Sequence, residues 1–203
     1  GGAPALPPGF AFDAIGEHAL TTALINDGGD LVSPGSARYR LLVLGPGARR
    51  MTFATLKRLA ELVQGGATVL GDPPAANPSL AGEAGQYAAF VARLWPGSGD
   101  ARVGMGRVIA GSDVTGALAR IGQPPQVRLN DSGARIAFVQ RHHADGESFL
   151  LANEGEREAT FEAAFRVTGK APELWHPDTG RAEPLSYRSE DQATVVPLTL
   201  APG

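Results

Sequence analysis

Residues 38–80 read RYRLLVLGPGARRMTFATLKRLAELVQGGATVLGDPPAANPSL, and this stretch decides the fold. Tyr39–Leu44 is a short apolar run of the kind buried on both faces of a parallel sheet. Thr52 stands at an N-cap position, where its hydroxyl satisfies a free amide of the first helical turn. Behind it Phe53, Leu56, Leu59, Ala60 and Val63 fall on one helical face, with Lys57, Arg58 and Glu61 on the other. Gly65-Gly66 supplies the left-handed residue that ends the helix, and Ala67–Leu70 is a second apolar run. A proline-rich loop, 71–82, follows. Strand, helix and strand joined this way form a βαβ unit, the building block of parallel sheets.

Working outward, Asp13–Ile25 reads as a helix capped by Asp13, with Ile15, Ala19, Leu20, Ala23 and Leu24 as its apolar stripe. Leu31-Val32 is a short strand closed by Ser33, Pro34 and Gly35. Downstream, Tyr87, Phe90, Val91, Leu94 and Trp95 recur at helical spacing until Pro96-Gly97. Gly106–Ala110 is a third strand, and Ser112 caps a helix carrying Val114, Leu118 and Ile121. Residues 10–122 therefore read as an α/β domain of flavodoxin- or amidotransferase-like type, a parallel sheet flanked by helices.

Gly122–Pro125 is the linker candidate, and beyond it the period changes to two. Residues 136–141 alternate, Asp145-Gly146 is a hairpin turn, and Ser148–Asn153 returns. Phe161, Ala163, Phe165 and Val167 alternate again. Glu173–His176 and Arg181–Leu185 flank a turn at Pro177–Gly180, and Gln192–Thr199 is a last strand. Residues 126–203 thus read as a smaller all-β domain of sandwich type. Residues 1–9 read as a tag or linker: the leading GGAPALPPGF has no basic or apolar region of a signal peptide.

The bulk numbers limit the function. With 203 residues, 43% hydrophobic and 19% charged, the chain has material for a real core. A net charge of −3 argues against a nucleic-acid partner, and no apolar run is long enough to cross a bilayer. The absence of cysteine removes disulfides, thiolate metal sites and a cysteine nucleophile.

Gly45-Pro46-Gly47 after a strand, with Asp72 after the next, imitates a dinucleotide site. The imitation breaks down: Arg50 occupies the third glycine position, Pro46 removes an amide, and the helix starts only after Thr52. His142 and His143 are strand neighbours that point to opposite faces, so one ion cannot take both, while His176 lies on another strand. His18 reads as a surface or boundary residue. Glycosidase chemistry needs two carboxyl groups facing across a sugar. Glu17, Asp27, Asp30, Glu61, Glu83, Asp100 and Asp113 fall on polar faces or turns, and no GxSxG serine elbow is present. Asp72 is the exception, at the carboxyl end of a sheet strand where α/β proteins bind ligands, and it is a rim candidate without an evident partner. Trp95 and Trp175 are flat rings able to stack on sugars, but both are expected in the core, with Trp175 kept as a second rim candidate.

The segments GFAFDAIGEHAL (9–20), the whole of 38–80, VGMGRVIAG (103–111) and FRVTGKAPELWHPDTG (165–180) resemble the region that follows the catalytic barrel in bacterial α-L-rhamnosidases of glycoside hydrolase family 106. The resemblance runs from about Gly9 to the C-terminus. It implies an excised accessory portion, with an amidotransferase-like α/β domain that braces the barrel and a β domain beyond it. Catalytic carboxylates and a bound calcium are implied for the upstream barrel and for no residue here, so this chain is expected to be inactive alone and to hold no cofactor. The implied partners are that barrel and an oligosaccharide, and the parent is expected to be periplasmic or secreted. In ELWHPDTG, His176 stands where the family carries an acid. Two other readings stay open: a carbohydrate-binding module using Trp175, Tyr187 and His176, and a nucleotide-binding α/β protein using the Gly45 and Asp72 loops.

Overall fold

A computed structural model describes residues 7–78, 84–130, 133 and 135–203; residues 79–83, with the end of the proline-rich loop and Glu83, lie outside it, as does most of the expected tag or linker. The chain divides into two compact units, one of residues 13–123 and one of residues 7–12 with 124–203.

The first unit is built around a mixed sheet. Its strands are β4 (Leu42–Val43), β5 (Thr68–Leu70), β6 (Asp100–Val103) and β7 (Gly106–Ile109), in the order β4-β5-β7-β6. The β4, β5 and β7 strands are parallel, whereas β6 runs antiparallel to β7. The expected all-parallel sheet is thus corrected to a mixed one. The short, polar segment Asp100–Val103 gives no apolar run to read, yet it folds back through Gly104-Met105 and covers the open edge of β7.

A second, three-stranded antiparallel sheet comprises β1 (Ile25–Asp27), β2 (Asp30–Val32) and β3 (Arg38–Tyr39). The run Tyr39–Leu44 is therefore not one buried strand but is split between the two sheets. Its start is held by charge: Arg38 Nε and a terminal nitrogen of Arg40 reach the buried carboxylate of Asp30 at 3.0 and 2.7 Å. A buried carboxylate needs such partners, and they pull residues 38–40 onto β2. From Leu42 the chain joins the mixed sheet as an edge strand, which is why Leu41–Leu44 are only half-buried.

Helix α2 (Phe53–Gln64) starts at Thr52, whose hydroxyl accepts the Thr55 amide at 3.3 Å. Leu56, Leu59 and Val63 on its inner face are fully buried, each worth about 1.5–3 kcal/mol of burial. Gly66, at φ 122°, supplies the backbone conformation that stops the helix. Helix α3 (Ala84–Leu94) lays Tyr87 and Leu94 on the same cluster, and Phe53 meets Phe90 edge-on at 5.4 Å between ring centres. Helix α4 (Val114–Arg120) is capped by Asp113 and not by Ser112; the Asp113 carboxylate accepts the Gly116 amide at 2.9 Å.

Helix α1 is shorter than its sequence pattern, Glu17–Thr22 with Gly16 as N-cap. Asp13 instead accepts the Tyr39 hydroxyl, Ile15 is exposed and Ile25 belongs to β1. The Glu17 carboxylate receives the hydroxyls of Thr52 and Thr55, which hold its pKa below the ordinary 4.5. A depressed carboxyl stabilises the fold above its unfolded value and loses that contribution as pH falls through the folded value. Glu17→Gln is accordingly expected to lower the melting temperature at about pH 7 and to flatten its decline below about pH 4.5, read by thermal melts across that range.

The second unit is a sandwich-like β structure. One sheet has the order β14-β15-β11-β8, from β8 (Val127–Leu129), β11 (Ala159–Phe165), β14 (Arg188–Glu190) and β15 (Ala193–Leu200). The hairpin β9 (Ile136–His142) and β10 (Glu147–Asn153) faces it. Ile136, Phe138, Phe149 and Leu151 pack on Val127, Phe161, Phe165, Val196 and Leu198. Period-two alternation places those residues on one face. Asn153, buried in this unit, donates to the Arg157 and Leu200 carbonyls at 2.7 and 3.0 Å and accepts the Gly155 amide. A separate hairpin pairs β12 (Glu173–His176) with β13 (Arg181–Pro184).

Candidate functional site

The carboxyl ends of β4, β5 and β7 lie side by side, so Gly45, Asp72 and Gly111 follow in a row. Backbone bonds carry the pairing past the strands, from Leu44 N–H to Leu70 O at 2.8 Å and from Gly71 N–H to Ile109 O at 2.9 Å. This is the edge where α/β sheets receive ligands.

Asp72 is exposed there, and its carboxylate accepts the Gly111 amide at 3.0 Å. It ties the β5 loop to the β7 loop. Just before it, the Gly71 carbonyl accepts the indole N–H of buried Trp95 at 2.8 Å. The loop beyond Asp72 is strapped to a 3₁₀ turn at Pro46–Arg49: Ala75 N–H donates to Arg49 O at 2.8 Å and Met51 N–H to Ala76 O at 3.1 Å. The Tyr87 hydroxyl donates to Met51 O at 3.0 Å, and burial raises the pKa of this phenol. In the Gly45-Pro46-Gly47 loop, the Ala48 amide turns back on Gly45 O at 2.9 Å. A phosphate cradle needs such amides directed outward. The loop closes on itself before α2 begins at Phe53.

Trp175 is the second sequence candidate, and here the expectation of a core position is corrected. Its side chain is 73% exposed. The β12–β13 hairpin stands apart from the two sheets of the sandwich, and every residue of β13 is exposed. Alternation alone cannot tell such a hairpin from a core strand. Trp175 and Glu173 share one face, opposite Ala182 and Pro184, and the indole N–H donates to the Glu173 carboxylate at 3.3 Å. On the other face His176 Nε2 meets Glu183 Oε1 at 3.0 Å. The shared face of Glu173 and Trp175 is the one that their two-residue spacing on a strand predicts. Tyr187 is 48% exposed.

The histidines go to separate partners, His142 to Glu147 at 3.5 Å and His143 to Ser148 at 2.9 Å. Among the described residues, no three His, Asp or Glu side chains gather as metal ligands do. A glycosidase acid requires a carboxyl raised toward neutrality. Among the described residues, the carboxyl groups moved from their ordinary values, Glu17 and Glu162, are both lowered, the latter by the Arg188 guanidinium that grips it. Both therefore stay ionised at neutral pH. Asp72 and Asp113 each accept a backbone amide through one carboxylate oxygen. No helix among the described residues is long and apolar enough to cross a membrane.

The profile of glycoside hydrolase family 106, α-L-rhamnosidase, matches residues 1–189, and the chain belongs to that family. The solved structure of a rhamnosidase from Novosphingobium sp. PP1Y is 49% identical and superimposes with a TM-score of 0.89 over 97% of this chain. A protein of Formosa agariphila, named provisionally as a beta-glucuronidase, is 26% identical over 198 residues, 95% of this chain. The chain spans 19% of the first relative and 16% of the second.

Proposed function

We propose that this chain serves as a non-catalytic accessory region of a larger α-L-rhamnosidase. Its α/β unit, of amidotransferase-like type, braces a catalytic barrel carried by the same polypeptide, and the β unit extends the assembly. The observation that carries this reading is the near-complete overlay on a rhamnosidase of which the chain spans 19%, combined with carboxylates here that are lowered or bound to backbone. Any calcium and the acid and base carboxylates belong to the barrel in this reading. Incubating the 203-residue chain with an aryl α-L-rhamnoside is expected to give no turnover; an enzyme-like rate would overturn the proposal. The name of the Formosa relative favours a second reading, a parent acting on glucuronides, which assays of the parent on both aryl glycosides separate. The reading extends to a periplasmic or secreted parent, since rhamnose-containing polysaccharide is met there; recovery of the parent from the cytoplasmic fraction contradicts it.

Asp72 has a place in this reading as a rim contact to substrate. One of its oxygens accepts the Gly111 amide, and the residue is exposed at the sheet edge. Asp72→Asn keeps an acceptor for Gly111 and removes the charge. In the full-length enzyme it is expected to raise KM by a few-fold with kcat unchanged, the pattern of a lost binding contact. Unchanged kinetics leave Asp72 a loop tether alone.

A further inference from the structure

We infer that the face of the β12–β13 hairpin bearing Trp175 and Glu173 is a binding platform for a neutral pyranose. This rests on the glycoside hydrolase reading above and gives that reading a saccharide contact of its own. Three observations carry it. The first is exposure: Trp175 leaves 73% of its surface in water on a hairpin whose fold does not use the ring. Its cross-strand neighbours, Ala182 and Pro184, are too short to cover it. The second is orientation. The indole N–H is tied to the Glu173 carboxylate at 3.3 Å, so one polar edge of the ring is held and the flat face is left free.

The third is chemistry. Among the described residues Glu173 bonds to Trp175 alone, which leaves oxygen lone pairs able to accept sugar hydroxyls at the edge of the ring. A pyranose offers this combination: an apolar face of C–H bonds that meets the negative π face, and a rim of hydroxyl donors. A protein surface is a poorer match, because the residues flanking the ring on this face are a carboxylate, an alanine and a proline, not a further cluster of large apolar side chains. The carboxylate also selects among sugars. A uronate would bring a second negative charge beside Glu173, which costs affinity, whereas a 6-deoxyhexose such as rhamnose is uncharged. A one-sided platform covers less of its ligand than a pocket, so affinity in the millimolar range is expected.

The chain has two tryptophans, Trp95 buried and Trp175 exposed, so a fluorescence change on ligand addition reports on Trp175. Titration with methyl α-L-rhamnoside and a rhamnose-terminated disaccharide is expected to give a saturable change, with glucuronate giving none. Ligand-observed NMR then reads binding where the fluorophore is absent. Trp175→Ala is expected to weaken binding roughly tenfold or more and Glu173→Ala several-fold, with melting temperatures unchanged because both side chains are exposed. No saturable change in the unmodified chain, equal binding by Trp175→Ala, or preference for glucuronate each overturns the platform. Failure here with no hydrolysis by the chain leaves the accessory reading standing, and hydrolysis with sugar binding at Trp175 overturns that reading alone.

Discussion

Replacing Gly106 by alanine is expected to destabilise the α/β unit by about 3 kcal/mol or more, a large part of the stability of an ordinary domain. Gly106 opens β7 where the strand passes under the end of α2. A Cβ at that position would lie 2.2 Å from the Val63 carbonyl oxygen and 2.4 Å from that of Ala67. Both are backbone atoms, so neither can swing aside as a side chain would. The region is also held by Met105 N–H to Gln64 O and Arg107 N–H to Ala67 O, both 3.1 Å. The strand cannot back away without giving up those bonds. Urea unfolding followed by the fluorescence of buried Trp95 measures the effect. Gly85→Ala is the matched control, because nothing lies within 4 Å of its added methyl and the residue is in a helix. That variant is expected to be neutral or stabilised by up to about 1 kcal/mol. Equal midpoints for the two variants would show that the crossing of β7 beneath α2 is looser than described.

That crossing shows why some features were legible in the sequence and others not. The α2 helix announced itself through its apolar stripe, its threonine cap and its paired glycines, all local signals. Its neighbours β5 and β7 were equally plain, because strands in the middle of a sheet need apolar residues on both faces. The β6 strand was hidden, since an edge strand such as DARV tolerates polar residues and owes its place to pairing with β7. The division of residues 39–44 between two sheets was hidden for a different reason. It depends on Asp30, on the neighbouring strand, drawing in Arg38 and Arg40. At the candidate site, Asp72 was found from its place after a strand, but its Gly111 partner lies on another loop and required the assembled sheet. The exposure of Trp175 was misjudged because alternation reports which residues share a face, not whether anything covers that face.

Trp95 carries the other large expected effect, and it joins the core to the rim. The ring is buried in the cluster formed by α2, α3 and the mixed sheet, beyond the last turn of α3. Trp95→Ala removes that volume and also leaves the Gly71 carbonyl without its indole donor. The packing loss is about 3–5 kcal/mol, and an orphaned buried carbonyl adds about 1–3 kcal/mol. Trp95→Phe separates the two contributions, since it keeps much of the ring volume and loses the N–H. It is expected to cost about 1–3 kcal/mol. Gly71 is bonded to β7 through its amide and to Trp95 through its carbonyl, directly before Asp72. Loosening it should therefore free the Asp72 to Gly111 link before the unit unfolds as a whole. Hydrogen exchange at the Gly111 amide tests this, with faster exchange expected in Trp95→Phe than the loss of global stability accounts for. If exchange at Gly111 follows global stability alone, the rim is held by the sheet and not by the indole. A substrate contact at Asp72 would then owe its position to β5 and β7, with Trp95 serving only as packing.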